Sequence, residues 1–170
     1  HAEFSVTNIT VTGLSHVNKD TVLSASSLQI GDNLDSEDIT AIIHNIYKTG
    51  FFENVIVEHA NGDIIIKVTE KPVIAAVKIN GYESVNSAEE VKEILLKSNL
   101  VVGKVLSEST LARMKNSILN DYKSKGYYSA EVTSKIKNID KGKADIIIDI
   151  KVGKVVKIKS INVVGNSNLA

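Results

Sequence analysis

The sequence has no cysteine and no tryptophan, a single proline, a single methionine, five tyrosines and three phenylalanines. Without cysteine there are no disulfides and no thiolate metal sites, which fits the cytosol or a compartment whose proteins avoid disulfides and so decides nothing about location. No run of 18 or more apolar residues occurs, so no transmembrane helix is expected. The opening HAEFSV has no basic segment followed by an apolar one, so it does not read as a signal peptide. His1 reads as an added residue, and Ala2 suits the first position of a mature chain.

Net charge is zero over 170 residues, but its distribution is uneven. Residues 1–71 hold 4 Lys against 10 Asp/Glu, a net −6, and residues 72–170 hold 16 Lys/Arg against 10 Asp/Glu, a net +6. Arg113 is the only arginine. Lysine is the strongly hydrated choice and arginine the bidentate one, so the basic half reads as a solvated surface before it reads as an anion site.

What is present in abundance is repetition. NITVTGL, ending near Gly13, returns as AVKINGY at Gly81 and as SINVVGN at Gly165, each a short alternating strand closed by a glycine turn. Between the first and second lie GDNLDSEDI, TGFFENV and NGDIIIKV; between the second and third lie GKVLSESTL, KGYYSAEV and KADIIIDI. The intervals Gly13–Gly31 and Gly31–Gly50 are 18 and 19 residues, and their counterparts Gly81–Gly103 and Gly103–Gly126 are 22 and 23. Each difference is four, about one helical turn, which keeps an apolar face in register.

Each module reads strand, helix, helix, strand, strand. First helices are expected near Asn18 or Asp20 and at Ser87, where Ser87 and Glu90 have capping-box spacing. Second helices are expected near Asp35 and Ser107, with apolar faces at Ile39, Ile42, Ile43, Ile46, Tyr47 and at Leu111, Met114, Ile118, Leu119, Tyr122. The triplets Gly50, Phe51, Phe52 and Gly126, Tyr127, Tyr128 separate helix from strand. They are expected to be structural corners, glycine supplying the left-handed stop and the aromatics bracing the fold. The last strands put Ile64, Ile66, Val68 and Ile146, Ile148, Ile150 on one apolar face. Preceding them, Val55 and Val57 point inward with Ile56 and Glu58 outward, and Ala130, Val132 and Ile136 alternate with Glu131, Thr133, Lys135 and Lys137. Such charged outer faces suit a sheet edge. Pro72 forces Lys71 out of helical geometry, and the pair is expected to be a hinge.

Catalytic chemistry is not indicated. His16, His44 and His59 lack metal-ligand spacing, and no HExxH, GxSxG or Walker pattern is present. Asp35, Glu37 and Asp38 fit a helix N-terminus better than a calcium loop. A KH-type nucleic-acid module needs a GxxG loop between its helices, and GDNLD and GKVLS lack the second glycine. Neither an enzyme, a cofactor, a metal nor a nucleic-acid partner is therefore expected.

Together, in order, these motifs resemble the POTRA domains of the BamA family of outer-membrane β-barrel assembly factors. The likeness is carried by Ala2, Glu3, Phe4, Val6, Ile9, Gly13, Leu14 and Val17; by Gly50, Phe51, Phe52, Val55, Glu70 and Pro72; by Gly126, Tyr127, Tyr128, Ala130 and Val132; and by Ile161, Gly165 and Asn166. His16 stands where that family often has arginine, and Val152 where it often has an acidic residue. The resemblance implies an α+β fold of tandem β-α-α-β-β domains, each a three-stranded sheet covered on one face by two helices. The domains are expected at 1–71 and 72–153, with a third starting at 154–170. It further implies a periplasmic part of an outer-membrane protein, with accessory outer-membrane lipoproteins and unfolded outer-membrane polypeptides as partners. The basic second domain suits weak contact with a membrane surface. A sheet edge can accept an extended segment as an added strand, and the expected edges are Val55, Ile56, Val57 and Glu58, and Ala130, Glu131, Val132, Thr133, Ser134 and Lys135. Two alternatives stand beside this: the POTRA arm of a related outer-membrane translocator of the TamA or two-partner secretion type, and a protein-interaction module outside transport.

Overall fold

Four helices start where short polar side chains can accept their first free N–H groups. A computed structural model describes residues 3–140 and 142–157. Asn18 accepts from the N–H of Asp20, and Asp35, Ser87 and Ser107 each close a capping box with the residue three positions on. In the Asp35 box, the backbone N–H of Asp38 holds the Asp35 carboxyl below its ordinary range.

The elements run β1 (Phe4–Ser5), β2 (Asn8–Thr12), α1 (Lys19–Ser26), β3 (Asn33–Leu34), α2 (Ser36–Tyr47), β4 (Phe52–Ala60) and β5 (Asp63–Glu70). They repeat as β6 (Val73–Asn80), α3 (Ala88–Lys97), α4 (Glu108–Ser124), β7 (Glu131–Asp140) and β8 (Lys143–Lys151). The main division into two compact units falls between Val73 and Ile74. The expected opening strand of a third module lies outside the described residues.

Each unit has a three-stranded sheet, ordered β2-β5-β4 in the first and β6-β8-β7 in the second. In the first, β5 pairs parallel with β2 and antiparallel with β4. The apolar face predicted for the last strands is the one that is buried. Ile64, Ile66 and Val68 pack with Val22, Ile42, Ile46, Phe52 and Val55, and Ile146, Ile148 and Ile150 pack with Met114, Ile118 and Tyr122. Each such aliphatic side chain contributes about 1.5 to 3 kcal/mol on burial.

The extra residues of the second module are not distributed as one helical turn per interval. Helix α4 has 17 residues against 12 in α2, but α3 has 10 against 8 in α1, so part of the first insertion extends a loop. The loop after each first helix carries a further repeat, in register with its glycine. Ser26-Ser27-Leu28 through Leu34 corresponds to Ser98-Asn99-Leu100 through Leu106, and all four leucines are buried. Ser27 and Asn99 take the left-handed conformation at φ 56° and 58°. Gly31 and Gly103 donate their N–H groups to Val6 and Ile74 carbonyls at 2.7 and 2.9 Å, tying the loop back to the opening segment.

The corners differ between the units. Gly50 and Gly126 are left-handed at φ 83° and 93°, as expected of helix stops. Phe52 is buried and starts β4, whereas in the second unit it is Tyr127 that packs inward, beside Tyr122, and Tyr128 stays 53% exposed. Tyr128 therefore does not brace its corner, and Phe51, also substantially exposed, meets Phe52 edge-on at 6.4 Å. The cause is local: β4 begins two residues after Gly50 but β7 five residues after Gly126, so Tyr128 lies in the turn before its strand.

Candidate partner-binding edges

The position of β4 and β7 follows from the sheet order: each pairs with a central strand on one side only among the described residues. Val55, Ile56, Val57 and Glu58 all lie within β4. Val55 is buried and Val57 half-buried, while Ile56 and Glu58 face solvent. Glu58 pairs with Lys67 at 2.9 Å, an exposed ion pair of little energetic weight.

Backbone direction in β4 is settled by its turn. Asn61 and Gly62, both at positive φ, form a two-residue hairpin loop closed by the Ala60/Asp63 pair. In a two-residue hairpin that pair exchanges hydrogen bonds, so Ala60, Glu58, Ile56 and Asn54 point their backbone groups at β5. Val55, Val57 and His59 point theirs at the open side. One of these is already taken: the N–H of Val55 donates to the Tyr47 hydroxyl at 3.0 Å, and that hydroxyl donates to Asn54 Oδ1 at 3.1 Å. Nearby, the ladder slips between Phe52 and Asn54, leaving Glu53 as a bulge. The bulge shifts the phase by one residue, which lets Phe52 and Val55, three apart, share the buried face. At the far end of the strand His59 stacks on Phe4, ring centres 4.1 Å apart and planes 5° apart.

The second edge is more open. Glu131, Val132, Thr133, Ser134 and Lys135 are in β7, and Ala130 immediately precedes it, packed on the core. Val132 and Ser134 are half-buried, but every residue from Lys135 to Asp140 is exposed. Ile136, expected to point inward, is 48% exposed because the buried core ends before it. Thr133 Oγ1 donates to the Asp149 carbonyl at 3.5 Å.

Two features near these edges escape sequence patterns. The Glu70 carboxylate gathers the backbone N–H groups of Ser15, His16 and Val17, with His16 at 2.9 Å and Val17 at 3.2 Å. Val152 has no such capacity, and in the matching loop the N–H groups of Val85 and Asn86 both donate to the Tyr82 carbonyl at 2.9 Å. The sheets also have second edges, β2 and β6, which sequence alternation did not single out.

Lys71 and Pro72 are the two residues between β5 and β6. The Lys71 N–H donates to the Phe51 carbonyl at 2.7 Å, and Pro72 has no N–H to offer. An open groove of about 200 Å³ in the second unit is lined by Glu90, Glu93, Ile94, Lys97, Ser117 and Asp121. Its carboxylates are engaged. Glu90 accepts from the Ser87 N–H, which with the nearby Lys125 charge lowers its pKa; Glu93 pairs with Lys97; Asp121 accepts from Asn86 Nδ2 and Lys125. His16, His44 and His59 are all exposed, and among the described residues no group of three or more potential ligands is placed to hold a metal ion.

Comparison with known proteins agrees with the two-unit architecture. The POTRA family model, described as a surface antigen variable number repeat, matches residues 4–71 and again 72–153. The chain is 30% identical to the outer membrane protein assembly factor BamA of Neisseria meningitidis serogroup B over 97% of its length, and 26% identical to BamA of Nitratidesulfovibrio vulgaris over 98%. It spans 21% of each of those relatives. Among solved structures, the N-terminal domain of Omp85 from Thermosynechococcus elongatus superposes with a TM-score of 0.63 at 19% identity, covering 98% of this chain and 76% of that one. The POTRA1-2 structure of Omp85 from Anabaena gives 0.52 at 22%, covering 92% and 99%. At these identities the structural likeness speaks for the fold.

Proposed function

Since this chain belongs to the POTRA family, we propose that it is a two-module segment of the periplasmic arm of an outer-membrane β-barrel assembly factor, with module boundaries at 1–71 and 72–153. The arm is a scaffold without catalysis. It holds accessory outer-membrane lipoproteins and receives unfolded outer-membrane polypeptides, which add as strands at an exposed sheet edge, with β4 and β7 as the candidates. Lys71 and Pro72 act as the hinge between modules.

The observation that carries this reading is that both sheets leave the equivalent strand at an edge. An edge strand offers N–H and C=O groups at regular spacing, so an extended polypeptide can pair with it whatever its side chains. That suits a receiver of many different chains. The charged outer positions of both strands keep such edges from pairing with each other in solution.

Proline substitution tests the reading. By strand alternation, one of Val132 and Thr133 turns its N–H toward the open side of β7 and the other toward β8. Val132→Pro and Thr133→Pro should therefore split: one variant stays folded and loses binding of unfolded outer-membrane polypeptide, while the other loses the fold. Unchanged binding by the folded variant would rule out β7 as the receiving edge.

A further inference from the structure

The two edges are not equivalent, and the difference lies in one side chain. Tyr47, the last residue of α2, places its hydroxyl on the open side of β4, where it accepts the Val55 N–H at 3.0 Å and donates to Asn54 Oδ1 at 3.1 Å. Of the three residues in the regular part of β4 that turn outward, Val55, Val57 and His59, the first is thus already paired. An incoming strand would find only two free residues, too few for a stable ladder, or would have to displace the hydroxyl. Counting back three residues from each corner glycine, Tyr47 corresponds to Lys123. An ammonium has donors and no acceptor, so Lys123 cannot cap an N–H. Among the described residues no side chain accepts an N–H of β7 between Glu131 and Lys137.

Resting on the strand-addition reading, we propose that Tyr47 caps the β4 edge and thereby directs incoming segments to β7. The charge of β7 further specifies what it takes. Lys135 and Lys137 are exposed and lie on one face of the strand. An added strand sets its side chains beside those of the strand it joins, and opposite charges in such cross-strand pairs are favourable. The favoured segment therefore carries carboxylates at the two alternate positions beside Lys135 and Lys137. On its other face, apolar side chains meet the exposed Ile136.

The test uses a fluorophore-labelled peptide of about ten residues that alternates valine and glutamate, a length that matches an edge strand. It is titrated into the 170-residue chain and into Tyr47→Phe, which keeps the ring and removes the hydroxyl. Amide chemical shifts locate the bound peptide. In the unsubstituted chain the shifts should concentrate in 131–137. Tyr47→Phe frees the Val55 N–H, and a second site should then appear over Val55–His59, tightening binding at that edge about threefold to tenfold, the weight of one hydrogen bond. Replacing glutamate by lysine in the peptide should weaken binding to β7. Binding at β7 with no gain at β4 in Tyr47→Phe would overturn the capping role and leave strand addition standing. Binding at β4 in the unsubstituted chain would overturn it as well. No binding by either protein would overturn strand addition, and the cap's role with it.

Discussion

Gly13 packs against the backbone of Val68 so closely that a Cβ at that position would lie 1.9 Å from the Val68 carbonyl oxygen. Gly81 stands in the same relation to Ile150, at 2.0 Å. Each glycine ends the opening strand of its unit against the central strand, at φ 95° and 91°. Gly13→Ala should therefore destabilise the first unit by at least about 2 kcal/mol, from the left-handed backbone together with the clash. Hydrogen exchange resolved by unit should show faster opening in residues 3–70 and unchanged protection in the second unit. Gly81→Ala should show the reverse.

Glu70 is the common acceptor for three consecutive N–H groups, and glutamine keeps its shape while removing its charge. Because the carboxylate is partly exposed, Glu70→Gln should cost about 1 to 2 kcal/mol in the first unit, and Glu70→Ala somewhat more. The second unit supplies a control. Its loop at 82–86 closes on Tyr82, so Val152→Glu should bring no comparable gain. Denaturation of both variants followed by unit-resolved exchange checks the pair.

Tyr122 is fully buried, and its hydroxyl has no hydrogen-bond partner among the described residues. Burial, with the negative charges of Asp121 and Glu83, pushes its pKa from 10.0 up to about 12. The raised value means that the neutral form favours the fold. That contribution is complete below pH 10 and is lost as pH rises from 10 toward 12, up to about 2 to 3 kcal/mol. Tyr122→Phe should remove this alkaline loss, and at neutral pH it should be neutral or stabilising by up to about 1 kcal/mol, since an unpaired buried hydroxyl disappears. Denaturant melts of the two proteins between pH 7 and 11 read both effects.

Much of this architecture is legible from residue spacing, because the forces involved are local. Asn18, Asp35, Ser87 and Ser107 cap helices through bonds spanning two or three residues, and Ile64, Ile66 and Val68 share a face because strands alternate. What depends on register across strands is not legible. The bulge at Glu53 is what lets Phe52 and Val55 share a face three residues apart, and the turn that delays β7 until Glu131 leaves Tyr128 outside the strand and exposed. Ile136 obeys the alternation and is still exposed, because the core stops short of it. The Tyr47–Val55 bond joins a helix end to a strand eight residues later, which no periodicity announces. The Ser26–Leu34 repeat was visible in the letters, but Ser27 and Asn99 do the work usually assigned to glycine and so hide the helix stop.

The most direct measurement of the central claim is amide hydrogen exchange on the chain with and without a saturating unfolded outer-membrane polypeptide. Added-strand pairing should slow exchange at every second amide of 131–137, with none at Val57 and His59, whose edge Tyr47 caps, and none on the exposed faces of α3 and α4. Unchanged exchange along β7, with protection appearing only on the helices, would contradict it.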